Sequence, residues 1–266
     1  TAPTANAATT NTAVQDGAGN DAATLAATTA VTNISTVDKT APTVSTFTPT
    51  DGATGVALGS GIVMAFSEPI ARGTGTITLR SGSATGTTVE SFDAATSNRL
   101  TLSGSTLTID PTNDLASGTQ YFVVFTSSNI KDVAGNAYAG TSAFDFTTVD
   151  VVAPTVSTIA YGANDGKLAL GEAVTLTVTL SEAVNVTGTP TLALSNGGTA
   201  SYTSGTGTNA LTFSYKAAAG QTTADLATAA SNALTGTIKD VAGNAVTKAG
   251  FDSMNPTGTL SVDVAA

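Results

Sequence analysis

The sequence predicts an all-β fold in which β-sandwiches follow one another along the chain. Three observations predict this fold: short runs of β-forming residues recur between turn residues, a long block of sequence occurs twice, and helix-period patterns are almost absent. The chain has 266 residues, of which 41% are hydrophobic and only 11% are charged. This hydrophobic content is sufficient for a core and consists mainly of small side chains.

The repeated block begins with DKTAPTVSTF at Asp38 and again with DVVAPTVSTI at Asp150. A Ser-Glu pair follows each opening, and the phrase KDVAGNA occurs later in each copy, at Lys131 and at Lys239. A Val-Asp pair begins each copy and recurs at Asp263, so the starting points are 112 and 113 residues apart. A near-constant period with matched internal landmarks is typical of tandem repeats.

This period divides the chain into four parts. They are the end of a preceding repeat (1–37), two whole repeats (38–149 and 150–262) and the first residues of a fourth (263–266). We therefore expect a segment of a longer array. Residues 1–37 hold a degenerate loop phrase, QDGAGND, and one final strand, which cannot bury its apolar face alone. The simpler interpretation is that residues 1–37 end at a boundary of the sequence. If the strand is ordered, we expect it to pack on upstream sequence or on another subunit.

Within the first repeat, eight short runs read as strands because β-forming residues alternate between punctuating Gly, Asn, Asp and Ser. Ile62, Met64 and Phe66 share one face, and the run after Gln120 is apolar on both faces, which predicts a central strand. The predicted strands are Thr43–Thr48, Gly61–Ser67, Thr76–Arg80, Thr88–Phe92, Arg99–Leu102, Thr106–Ile109, Gln120–Thr126 and Ser142–Thr148.

The second repeat gives seven strands by the same criteria. In the second of them, four apolar side chains from Val174 to Leu180 alternate with threonines, as in a half-solvated sheet. The Ala-rich stretch Ala224–Ser231 is expected to form a helical turn. The predicted strands are Thr155–Tyr161, Ala173–Leu180, Thr191–Leu194, Ala200–Thr203, Leu211–Tyr215, Thr235–Ile238 and Thr257–Val262. Short strands at this spacing favour a β-sandwich over a closed barrel.

The composition also excludes several functions. The chain contains no His, Cys or Trp, so a Ser-His-Asp triad, a thiol nucleophile and an ordinary zinc site are excluded. A net charge of −10 argues against nucleic-acid binding, and no apolar run is long enough to span a membrane. The first residues lack the features of a signal peptide. The Thr-, Ala- and Gly-rich, acidic, cysteine-free composition suits a bacterial protein that is extracellular, at the cell surface or secreted.

In order along the chain, these landmarks resemble bacterial Ig-like domains. The first repeat is similar to the Ig-like type first described in S-layer proteins. The second resembles repeats of very large secreted adhesins, although it has Ala183 where the first repeat has Pro69. The residues that carry the resemblance in the first repeat are Phe66–Pro69, Leu107–Ile109, Leu115–Tyr121 and Asp132–Asn136. The resemblance implies tandem immunoglobulin-like sandwiches arranged end to end.

Carboxylates are the remaining candidates for chemistry, and the strand order of a sandwich places several of them at the same pole. Asp150, Glu182 and Asp240 are expected to converge between the two repeats, and Asp38, Glu68 and Asp132 one junction earlier. Asp51 and Asp114 are expected to point toward the junction between the repeats. Such oxygen clusters suit Ca²⁺, and the resemblance supports Ca²⁺ between domains, since related adhesin repeats bind it there and become stiffer.

A structural role in local turns is compatible with the role of these aspartates as cation ligands. Asp132 and Asp240 are also expected to form Asx-type turns in which Gly135 and Gly243 adopt positive φ. Enzymatic activity is not expected, because glycosidase chemistry needs a sugar cleft between two carboxylates and neither a cleft nor a stacking tryptophan is indicated.

The sequence therefore predicts a structural and adhesive role as a stalk segment of an extracellular bacterial repeat protein. Its partners would be neighbouring repeats or copies of itself, and any cell-surface, host or substratum ligand would bind outside this segment. Two alternatives stay open. One is an S-layer or self-assembling filament subunit, and the other is a spacer in a secreted hydrolase.

Overall fold

The computed structural model describes residues 38–264 of the chain. The chain divides into two compact units, Thr1–Thr40 and Ala41–Ala266. In the described part of the first unit, the Asp38 carboxylate accepts a hydrogen bond from the Thr40 backbone N–H at 2.9 Å. The strand predicted within residues 1–37, and its packing partner, lie outside the described residues.

The described residues fold into nineteen β-strands and one short 3₁₀-helix at Lys248–Phe251. Those before residue 150 are β1 (Val44–Thr48), β2 (Ala53–Val56), β3 (Ile62–Phe66), β4 (Ile70–Arg72), β5 (Thr76–Ser81), β6 (Thr87–Asp93), β7 (Leu100–Ser103), β8 (Thr106–Ile109), β9 (Gln120–Val124), β10 (Ile130–Asp132) and β11 (Asp145–Thr148). Those after it are β12 (Val156–Tyr161), β13 (Lys167–Leu168), β14 (Ala173–Thr187), β15 (Thr191–Ala193), β16 (Thr199–Ser204), β17 (Thr208–Lys216), β18 (Thr237–Asp240) and β19 (Ser261–Val262). The fold is all-β, as predicted.

Strands β1 to β11 form the first sandwich. One sheet has the order β1-β3-β8-β7, the other has the order β2-β11-β9-β5-β6, and β4 pairs with β10. All pairs are antiparallel except β2 with β11. Strand β9 lies inside its sheet, between β11 and β5, which confirms the predicted central strand. Side chains of both sheets, such as Met64 and Val123, are fully buried in one core.

A tyrosine fixes the loop that precedes β9. The Tyr121 side chain is 2% exposed, and its hydroxyl accepts a hydrogen bond from the Ala116 backbone N–H at 2.8 Å. A tyrosine that begins an inner strand and bonds back to the chain a few residues upstream is a recurrent feature of immunoglobulin-like sandwiches. The loop 116–118 is therefore held against the core.

Strands β12 to β19, which we call the second sandwich, surround a second core. The main sheet has the order β12-β14-β17-β16-β15, and β18 pairs with the second half of β14. Strands β13 and β19 form a parallel pair. The buried residues of this core run from Ile159 to Val264, and those of the first core run from Ile62 to Phe146, so the two cores share no described residue.

The predicted alternation of side chains is confirmed on both of the most regular strands. Ile62, Met64 and Phe66 are at most 4% exposed. On β14, the four apolar residues from Val174 to Leu180 are buried while the intervening threonines are exposed or half-buried. Burial of one face per strand is what period-2 patterning dictates.

Sequence patterning missed four strands, β2, β4, β10 and β13, each only two to four residues long. The helical turn expected at Ala224–Ser231 was wrong. This stretch is extended and irregular because Leu226 and Thr228 are buried and bonded to distant backbone. The Thr228 hydroxyl, for example, donates to the Phe251 carbonyl at 2.6 Å. No helix within residues 38–264 is long and apolar enough to cross a membrane.

Candidate functional site

Two copies of one turn carry the most deeply buried carboxylates. After β10, the two carboxylate oxygens of Asp132 accept the backbone and side-chain N–H groups of Asn136, both at 2.7 Å. After β18, Asp240 accepts the same two groups of Asn244, both at 2.8 Å. Gly135 and Gly243 have φ of +100° and +99°. The geometry is that of the predicted Asp-x-Ala-Gly-Asn turn, with glycine supplying positive φ.

The turn after β18 lies beside two further carboxylates. Asp150 follows β11 in the segment that joins the two sandwiches, and Glu182 lies in the middle of β14. Val184 of β14 pairs with Asp240, which brings Glu182 to the end of β18. One carboxylate oxygen of each of Asp150, Glu182 and Asp240 lies within 4.8 Å of the other two. We call these three residues the junction carboxylates.

The junction carboxylates differ in their surroundings. Burial, followed by repulsion from Asp240 and then Asp150, raises the pKa of Glu182 above its ordinary value. Burial acts to raise the pKa of Asp240 too, but hydrogen bonds from Asn244, Gly243 and Ala242 together lower it. No lysine or arginine within residues 38–264 forms an ion pair with any of the three. The group is therefore negative and lacks a compensating cationic side chain.

In the first sandwich, Glu68 and Asp132 have carboxylate oxygens within 4.8 Å of each other. Asp132 is 1% exposed, and hydrogen bonds from Asn136 and the turn backbone outweigh burial and lower its pKa. Asp38 belongs to the Thr1–Thr40 unit, so its predicted place beside Glu68 and Asp132 stays a prediction.

Asp51 and Asp114 are not members of the group of carboxylates whose oxygens lie within 4.8 Å of one another at the junction. The Asp51 carboxylate accepts the Asp145 backbone N–H at 3.1 Å and so ties the loop between β1 and β2 to β11. Asp114 is exposed and lines a small cleft of about 70 Å³ beside Gly59. The strand order alone did not reveal the bond from Asp51 to β11 or the exposed position of Asp114.

An open groove lies next to the junction carboxylates. Its volume is about 660 Å³, and residues of both sandwiches line it, among them Thr54, Gly118, Glu182 and Val241. The tip of the second turn, Val241, is 84% exposed. The sandwiches therefore leave open space on this side of the junction.

Sequence reasoning missed the amide and hydroxyl groups around the carboxylates. Asn244 bonds both Asp240 and the Asp150 carbonyl, and Ser117 bonds the Asp150 carboxylate at 2.9 Å. A signal was present for Asn244, because KDVAGNA keeps its asparagine in both copies. Ser117 has no counterpart that the repeat comparison could have used.

The donor set of the junction carboxylates fits a hard cation. All three groups are carboxylates, they approach one another closely, and burial together with repulsion from the other two raises the pKa of Glu182. Ca²⁺ prefers such oxygen ligands and takes six to eight of them, so carbonyl groups or water would complete its shell. Asp150, Glu182 and Asp240 are the residues that would hold it.

Comparison with known proteins agrees with this architecture. Residues 38–148 match the family described as bacterial Ig-like domain. No curated protein matches the chain. Domains of this family occur in bacterial surface proteins and are generally non-catalytic structural domains. Residues 38–148, with their two-sheet core and their tyrosine-fixed loop, are therefore similar to a bacterial Ig-like domain.

Proposed function

We propose that the chain is a stalk segment of an extracellular bacterial surface protein, in which Ig-like sandwiches follow one another and Ca²⁺ stiffens their junction. The observation that carries the proposal is the group of junction carboxylates, with oxygens within 4.8 Å of one another. Asp150 follows the last strand of the first sandwich, whereas Glu182 and Asp240 belong to the second. A cation held by all three would tie the two sandwiches together.

The role of such a segment is mechanical. Each core is a stable unit, and a cation that binds the folded junction, but not the unfolded chain, stabilises the folded state by mass action. Bending at the junction would separate Asp150 from Glu182 and Asp240, and the bound cation would resist it. The partners of the segment are neighbouring repeats or further copies of the chain.

Thermal unfolding in Ca²⁺ and in chelator tests this proposal. At a Ca²⁺ concentration of about 100 times the dissociation constant, the linkage relation gives about 2.7 kcal/mol of added stability. We expect Ca²⁺ to raise the melting temperature of the wild-type chain and of a matched control, Asp114→Asn, which lies outside the group. Glu182→Gln should abolish most of the shift. An identical melting temperature with and without Ca²⁺ in the wild type would contradict the proposal.

A further inference from the structure

We infer that Ser117 and Asn244 form a latch on Asp150 that sets the relative orientation of the two sandwiches without any cation. The inference rests on the proposed stalk function, because it specifies what holds the junction before Ca²⁺ binds. The two residues approach Asp150 from opposite sandwiches, and each is fixed by its own fold. Ser117 bonds the Asp150 carboxylate and Asn244 bonds the Asp150 carbonyl, and neither bond requires a cation.

On the first sandwich, the Ser117 hydroxyl bonds the joining segment twice. It donates to Asp150 Oδ1 at 2.9 Å and accepts the Val151 backbone N–H at 2.8 Å. Its loop is anchored by the buried Tyr121 hydroxyl and by the Thr148 hydroxyl, which donates to the Ala116 carbonyl at 2.6 Å. The position of Ser117 is therefore fixed by the first core.

Gly118 allows this close approach. Its φ is +58°, and a Cβ at this position would lie 3.4 Å from the Cβ and Cγ of Asp150. A side chain there would be strained, because L-residues rarely adopt positive φ. The loop thus presents the Ser117 hydroxyl beside a glycine that leaves room for the aspartate.

On the second sandwich, the side chain of Asn244 bonds the main-chain carbonyl of Asp150. Its side-chain amide donates to the Asp150 carbonyl at 3.1 Å and to Asp240 Oδ2 at 2.8 Å. Because Asp240 ends β18 and is 4% exposed, the amide is fixed by the second core. Asp150 is therefore bonded to both sandwiches at once.

The middle of the joining segment contributes little packing. Val151 and Val152 are each 56% exposed, and the groove of about 660 Å³ separates the sandwiches on one side. The Val152 N–H donates to Asp150 Oδ1 at 3.0 Å, which folds the segment on itself without reaching either core. Within the described residues, the hydrogen bonds from Ser117 and Asn244 are thus the ones that connect Asp150 to the two sandwiches.

Distance measurements between spin labels test the latch in chelator, where no cation contributes. The chain has no cysteine, so Thr101→Cys on the first sandwich and Thr199→Cys on the second give one defined label pair. We expect one narrow distance distribution for the parent. Ser117→Ala should broaden it and raise the displaced population about fivefold, as the loss of one net hydrogen bond implies. Ser117→Thr, which keeps the hydroxyl, should restore it.

Two matched variants serve as controls. Ser67→Ala removes a hydroxyl that accepts the Thr43 N–H at 3.1 Å inside the first sandwich, and it should leave the distribution narrow. Asn136→Ala alters the equivalent turn away from this junction and should also leave the distribution narrow. Asn244→Ala, in contrast, should broaden the distribution. Unchanged distributions for both Ser117→Ala and Asn244→Ala would overturn the latch. That result is distinct from an absent Ca²⁺ effect, which bears only on the proposed cation.

Discussion

The two sandwiches differ in the strand structure around the glutamate of each candidate site. In the first, Ser67-Glu68-Pro69 separates β3 from β4, and in the second, Ser181-Glu182-Ala183 runs inside the continuous strand β14. Proline fixes φ and has no N–H for the sheet, which explains the interruption. The strands that follow or contain the two glutamates nevertheless have equivalent pairing partners. Strand β4 pairs with β10 in the first sandwich, and the end of β14 pairs with β18 in the second. Pairing with the turn strand, rather than strand continuity, sets the glutamate beside the turn aspartate.

The largest effects are expected from truncating each core. Ile62 and Leu176 are fully buried in different cores. Ile62→Ala and Leu176→Ala should each cost about 2–5 kcal/mol, because each leaves a cavity. Since the cores share no described residue, each variant should lower the melting transition of its own sandwich. Calorimetry resolves this, and an equal shift of the whole unfolding profile by either variant would show one merged cooperative unit.

The turn aspartates should give the next largest effect. Asp132→Ala and Asp240→Ala each leave two N–H groups of the following asparagine without their acceptor. We expect each to cost about 1–3 kcal/mol of unfolding free energy, measured by urea denaturation. Asp114→Ala, at an exposed site, serves as the control and should be nearly neutral. If only one of the turn variants is destabilised, the equivalence of the two turns is wrong.

Glu182 should show a smaller effect whose sign depends on pH and Ca²⁺. Its pKa in the folded chain is raised from the ordinary 4.5, so the folded state favours the protonated form. The associated stability is fully present below the ordinary pKa and is lost as the pH rises through the raised pKa. At neutral pH in chelator, Glu182→Gln should therefore raise the melting temperature, and in Ca²⁺ it should lower it relative to wild type. Melting curves at pH 4 and pH 7 check this, and a variant that melts below wild type in chelator at pH 7 would contradict it.

The smallest effect is expected from replacing Ala183 with proline, the residue found at the equivalent position of the first sandwich. Ala183 is exposed, and the first sandwich tolerates proline at the equivalent position. Ala183→Pro should therefore change the unfolding free energy by less than about 1.5 kcal/mol and interrupt β14 near Glu182, as detected by amide hydrogen exchange. A loss comparable to that of Leu176→Ala would show that continuity of β14 is essential in the second sandwich.

The sequence predicted more of the fold than of the site. Alternation on β3 and β14 identified buried faces because one face of each strand packs on a core. The short strands β2, β4, β10 and β13 gave too few residues for any pattern, and tertiary bonds override the Ala-rich signal at Ala224–Ser231. For the site, the repeated phrases predicted the approach of Glu182 and Asp240. Asp51 and Asp114 were harder to place, because strand order does not determine the conformation of the loops that carry them, such as the bond of Asp51 to the Asp145 N–H.

Crystals grown with terbium, a lanthanide that replaces Ca²⁺ at oxygen sites, test the central claim most directly. Anomalous scattering locates the ion without reference to stability. The account predicts a peak among the carboxylate oxygens of Asp150, Glu182 and Asp240, and its loss in Glu182→Gln crystals. A well-ordered junction without a peak, or a peak confined to other surface carboxylates, would contradict the assignment of this group as the cation site.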